Sequence, residues 1–149
     1  MVAEEVRSGR HDVHADPDER WHVRLLRDDR VDVWLISWTT DQGTQLHDHG
    51  GSVGAYTVVT GELSEISWDP VSGQLVERAV SAGDAIGFGD AFVHDVCNVR
   101  TQTAVSVHAY SPPLTHMSFY DLADGELTTL AKIWTDDPEV ATPDLRAAS

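Results

Sequence analysis

The sequence predicts an all-β domain, either a sandwich or a small barrel, and three observations carry that prediction. About ten short runs rich in Val, Ile, Thr, Trp and Tyr recur through the chain. Turn signals separate them at intervals of about 8–12 residues, the spacing of such folds. After residue 20 no stretch shows a sustained helical period, and there is no internal repeat.

Each element can be justified in order. Residues 1–20 are polar and without a clear period, so they form a short helix or a mobile arm, with Asp16-Pro17 as a turn or a helix start. Residues 21–27 and 31–38 read as a hairpin turned at Asp28-Asp29. Asp41-Gln42-Gly43 turns the chain into a strand over 44–49. An apolar run over 55–68 is interrupted at Gly61, and 74–80 follows as its partner. Short strands at 85–89 and 92–99 are separated by Gly89-Asp90. Residues 103–111 alternate most clearly, and Pro112-Pro113 stops them. Strands over 117–122 and 126–134 close the pattern around an Asp124-Gly125 hairpin turn. The expected organisation is an arm over 1–20, one domain over 21–135 and a loose tail over 136–149.

Composition narrows the partners. The chain has 149 residues, with 10 basic and 25 acidic side chains and a net charge of -15. Nucleic acid and anionic membrane both require a positive face, so neither is an expected partner. The single cysteine, Cys97, forms no intramolecular disulfide and reads as a small buried filler. The N-terminal stretch is charged, and no apolar run approaches the ~20 residues of a membrane span. A cytoplasmic protein, monomeric or a small homo-oligomer, is the expectation.

The chemistry is concentrated in Gly43 to Ala55, GTQLHDHGGSVGA. His47 and His49 are two apart on a predicted strand and so share a face, while Asp48 points away. Two imidazoles on one face fill a core poorly and hold a metal well. Gly50, Gly51 and Gly54 leave room beside them. Ser106, His108 and Tyr110 lie at i, i+2 and i+4 of an apolar strand and also share a face. Buried polar groups must find partners, and a Ser-His-Tyr relay supplies its own, leaving the phenol to face a ligand.

These segments resemble the two motifs of the cupins. The first is Gly43, His47, His49 and Gly61, with a shortened spacing after Gly43; the second is Gly83, His94 and Asn98. The resemblance implies a double-stranded β-helix, or jelly-roll barrel, with His47, His49 and His94 as metal ligands. Where many cupins add a glutamate, this chain has Val53 and Gly54, so the implied site is three neutral histidines. HDHGGSVGA followed by SVHAYSPP is similar to cysteine dioxygenase, the thiol dioxygenase branch of the cupins, over 21–121.

That likeness implies one Fe(II), O2 and a small thiol, L-cysteine, oxidised to cysteine sulfinic acid. It implies Tyr110 beside the iron, ordered by His108 and Ser106, with Trp38 lining the pocket. It implies Arg24 as the clamp on the substrate carboxylate, with His22 at the family's aromatic position and Arg27 as the alternative anchor. Gly54 stands where mammalian members crosslink a cysteine to the tyrosine. Two other readings stay open: a dioxygenase for 3-mercaptopropionate or a related mercapto acid, and a cupin that binds a metal or ligand without chemistry. The ligand set alone would also suit zinc, nickel or copper.

Overall fold

The structure, a computed structural model, describes residues 1–139. It contains a helix α1 (Val2–Arg7) and ten strands: β1 (His22–Arg27), β2 (Asp32–Trp38), β3 (Val53–Thr60), β4 (Glu62–Asp69), β5 (Gln74–Ser81), β6 (Ala85–Phe88), β7 (His94–Cys97), β8 (Ala104–Ser111), β9 (His116–Ala123) and β10 (Glu126–Trp134). One sheet has the order β1-β2-β8-β3-β6, a second β5-β4-β7, and β9 and β10 form a hairpin. All pairings are antiparallel. This is the double-stranded β-helix expected from the sequence. No helix among the described residues is long and apolar enough to cross a membrane.

The core explains why β2 reads as an unbroken apolar run. All seven of its residues are buried, because both faces of the sheet are covered. Trp34, Ile36 and Trp38 face the barrel interior with Tyr56, Val58, Leu63, Phe88 and Met117. Val33 and Leu35 face outward, where Val59, Val105, Val107 and Val6 of α1 join them. The N-terminal arm therefore seals the outer face of the large sheet. Its extended part is tied down as well: Ser37 Oγ donates to the His14 carbonyl, and Gln42 Nε2 donates to the Asp16 carbonyl at 2.7 Å.

Two turns follow from backbone chemistry. Gly61, at φ +78, lets the long apolar run split into β3 and β4, and a Cβ there would meet the Ala104 backbone at 2.8 Å. Asp124 and Gly125, both at positive φ, make the tight β9–β10 hairpin.

The segment expected as a strand over 44–49 is not one. It is extended but touches its neighbours only through isolated bridges, Gly43 to Cys97, His47 to His94 and His47 to Phe119. The chain here crosses between β7 and β9, so no continuous ladder forms on either side, and side chains substitute for it. Thr44 Oγ1 accepts from the Val96 amide. Asp48 accepts from the amides of Gly50 and Ser118 and from the Tyr120 hydroxyl. The Asp between the two histidines is thus the latch that holds β9. Gly50 has a related role: a Cβ there would stand 2.3 Å from the His116 carbonyl, so its space is taken by the start of β9.

The first residues of the expected tail, 136–139, lie against β1. Asp136 accepts from Arg24 and Arg27, Asp137 pairs with His22 Nε2, and Glu139 pairs with Arg20. The rest of the tail, 140–149, lies outside the described residues.

Asp48→Ala removes three acceptor contacts and leaves two partly buried amides, those of Gly50 and Ser118, without this partner. We expect a loss of about 1–3 kcal/mol in stability, read from urea denaturation of the metal-free protein. An unchanged midpoint would mean that β9 is held by apolar packing alone.

Candidate metal centre

Three buried imidazoles converge inside the barrel. His47 and His94 are opposed across an antiparallel bridge, each amide donating to the other's carbonyl at 3.0 Å. His49 follows two residues later on the same face. One ring nitrogen from each of the three lies within 4.8 Å of the others. The ring centroids are 4.9–5.0 Å apart.

Hydrogen bonds set two of the tautomers. His47 Nδ1–H donates to the Gln45 carbonyl at 2.6 Å, and His94 Nδ1–H donates to Glu65 Oε2 at 3.0 Å. Both partners can only accept, so the Nε2 of each ring keeps its lone pair for another group. The Nδ1 of His49 is buried with no partner among the described residues. An orphaned imidazole nitrogen beside two poised ones fits a donor set that a metal ion completes. Three protein donors leave three positions of an octahedral ion for other ligands.

Aromatic side chains wall this centre. Phe88 stacks on His49 at 4.6 Å, Phe92 meets His94 edge-on at 5.0 Å, and Phe119 lies 6.0 Å from His47. The Tyr110 ring is 5.1 Å from His49. Burial, with the charges of Glu139 and Asp32 nearby, pushes the Tyr110 phenol above its ordinary range, so it stays an O–H donor. Behind it runs a bonded chain: the Trp38 indole donates to Ser106 Oγ at 2.8 Å, and Ser106 Oγ pairs with His108 Nε2 at 2.8 Å. Trp38 thus joins the polar row as a donor. Gly54 is the cross-strand neighbour of Tyr110, and a Cβ there would stand 2.5 Å from the Phe88 ring.

Arg24 is committed to acidic partners and an aromatic ring. Its Nε donates to Asp32 at 3.0 Å, its Nη2 donates to Asp136, and its guanidinium lies over the Trp34 ring. Arg27 shares Asp136. Arg20, just before β1, lies beside the centre. It lines a pocket of about 150 Å³ with Gln45, His47, Met117, Phe119 and Pro138. Its guanidinium sits 5.3 Å from the Trp38 ring and pairs with Glu139, whose carboxyl burial pushes upward.

Sequence reasoning missed Arg20, the three phenylalanines and Glu65. Of these, Glu65 had a signal: it is two residues from Leu63, so a carboxylate shares the face of a core leucine. Arg20 had none, because it precedes the strand that displays it.

Fold and centre together define a metal-binding cupin with an all-histidine donor set. The comparisons are narrower: a family model of cysteine dioxygenase type I matches residues 10–123, and the chain belongs to that family. Human cysteine dioxygenase type 1 is 26% identical over 148 residues, covering 92% of this chain and 74% of the relative. The rat protein is 26% identical, covering 88% and 71%. Two solved structures share the fold. TT1209 from Thermus thermophilus has a TM-score of 0.59 at 19% identity, covering 67% of this chain and 90% of that one. A Klebsiella pneumoniae protein with a double-stranded β-helix domain has a TM-score of 0.58 at 16% identity, covering 78% and 89%.

Burial and neighbouring charges lower His47 and His108 to about 3, against 6.5 for an ordinary histidine. Below pH 6.5 the unfolded chain therefore binds protons that the folded chain refuses. Stability from these groups is complete above pH 6.5 and falls as pH drops toward 3. Urea midpoints of the metal-free protein should decline between pH 7 and pH 5, before the carboxylates titrate. A flat midpoint across that range would show that the rings are already solvated.

Proposed function

We propose that this protein is a mononuclear iron dioxygenase that converts L-cysteine and O2 to cysteine sulfinic acid. The observation that carries the reading is the convergence of His47, His49 and His94 beside Tyr110, with His47 also lining a pocket that holds Arg20. The family match over 10–123 supports the reaction class. His47, His49 and His94 would hold the iron as neutral imidazoles, and an ion so held would supply an undiminished positive charge that favours a thiolate and a common site for thiol and O2.

The chain's own residues do the rest. Tyr110, protonated and buried, donates a hydrogen bond to the reacting group. Ser106, pinned by Trp38, holds His108, and His108 lies behind the tyrosine ring at 6.4 Å. Phe88, Phe92 and Phe119 exclude water from the centre. We assign the substrate carboxylate to Arg20 in place of Arg24, because Arg24 is already committed to Asp32 and Asp136. Arg20 donates from Nε to Glu139, and a guanidinium has five N–H donors, so a second carboxylate can share it.

Oxygen uptake by the iron-loaded protein, with L-cysteine and then 3-mercaptopropionate, tests the reading. Cysteine is expected to give the higher kcat/KM and a sulfinate product. Preference for 3-mercaptopropionate would reassign the substrate, and no uptake with either thiol would leave a metal-binding protein without this chemistry.

Arg20→Gln should raise the KM for cysteine about 10- to 100-fold, the range of one charge-assisted hydrogen bond of ~1.5–3 kcal/mol. Arg24→Gln should leave that KM within about twofold, since no substrate contact is lost. The reverse pattern would return the clamp to Arg24. Tyr110→Phe should retain iron and slow turnover about 10- to 100-fold, in line with loss of one aimed donor. Full turnover in that variant removes the phenol from the chemistry.

A further inference from the structure

The donor set has no carboxylate, yet one lies a single hydrogen bond behind it. Glu65, on β4, is fully buried and bonded on both oxygens. Oε1 accepts from Arg78 Nε at 2.7 Å, and Arg78 Nη2 contacts the same oxygen. Oε2 accepts from the Tyr56 hydroxyl at 2.6 Å and from His94 Nδ1 at 3.0 Å. We infer that Glu65 is a positioning residue for the metal, fixing the tautomer and ring angle of His94 and setting a negative charge at one remove from the ion. The inference rests on the reading that the three histidines hold a metal, and it does not depend on which thiol is oxidised.

A carboxylate used only for packing would not need this arrangement. Burying an ion pair costs desolvation that an apolar side chain avoids. Arg78 reaches in from β5 with nearly half its side chain exposed, so its charge is partly spent on water. The bonds that matter to the centre are on the other oxygen. Tyr56 and His94 donate to the same Oε2, which pulls that oxygen toward the imidazole. The Tyr56 ring in turn stacks on His108 at 5.0 Å and 10°. Glu65 thereby ties the ligand on β7 to the polar row on β8 through one aromatic ring. A carboxylate behind a ligating histidine raises the basicity of the ligating nitrogen and holds the ring in place.

The test reads metal affinity, not turnover. Metal-free wild type, Glu65→Gln and Arg78→Gln would be titrated with zinc against a chelating dye. Glu65→Gln should bind zinc about 10- to 100-fold more weakly. Arg78→Gln, which keeps the bond to His94, should lose less than Glu65→Gln. A folded Glu65→Gln that binds within twofold of wild type overturns the inference. Should that variant fail to fold, long-range ¹⁵N–¹H spectra of the wild-type metal-free protein decide. His94 is expected as the Nδ1–H tautomer, and the Nε2–H tautomer would overturn the role. Neither measurement uses a thiol, so failure of the dioxygenase reading and failure of this inference are separate results.

Discussion

The pair of backbone hydrogen bonds between His47 and His94 is the constraint from which the rest of the centre follows. It joins the 44–49 segment to β7, and the same His47 bridges to Phe119 on β9. One residue therefore stands at the seam of the three-stranded sheet and the β9–β10 hairpin. Because the two histidines are opposed in register, their side chains leave the seam together. His49, two residues on, reaches the same volume because Asp48 turns the opposite way to latch β9. Metal ligation and barrel closure use the same few residues, in alternation.

Electrostatics around this seam keep His47 and His49 neutral. Burial is the main cause holding His47 and His49 well below the ordinary histidine value, with His94 adding to the effect on both and His47 adding to it on His49. Burial alone would raise Glu65, but donation from His94, Tyr56 and Arg78 holds it at about 2. A fixed negative charge thus stands behind a ligand, and a second buried carboxylate, Asp32, is paired with Arg24. Tyr120, bonded to Asp48, is pushed up to about 12 and stays a donor to the latch.

What was legible in the sequence followed from period and punctuation. Alternation gave the strands, Asp124-Gly125 and Gly61 gave their turns, and the two-residue spacings gave the shared faces of the histidine and Ser-His-Tyr rows. Two kinds of feature were not legible. The 44–49 segment carries strand-like residues, but it lies between two partners and pairs with each at single points, a tertiary fact that no local pattern records. Arg20 and Arg24 both precede apolar residues in similar contexts, and only the position of the acidic 136–139 segment and of Trp38 distinguishes them. Charge partners more than 100 positions apart leave no periodic trace.

Phe88 occupies the place where a side chain at position 54 would begin, directly across from Tyr110. No thioether can grow between these two strands, and the lone thiol of the chain, Cys97, lies packed against Gly43 on another element. The phenol consequently keeps its ring free of a crosslink to position 54. Each molecule is mature once folded, so a preparation should stay covalently uniform, with no age-dependent mixture of processed and unprocessed chains.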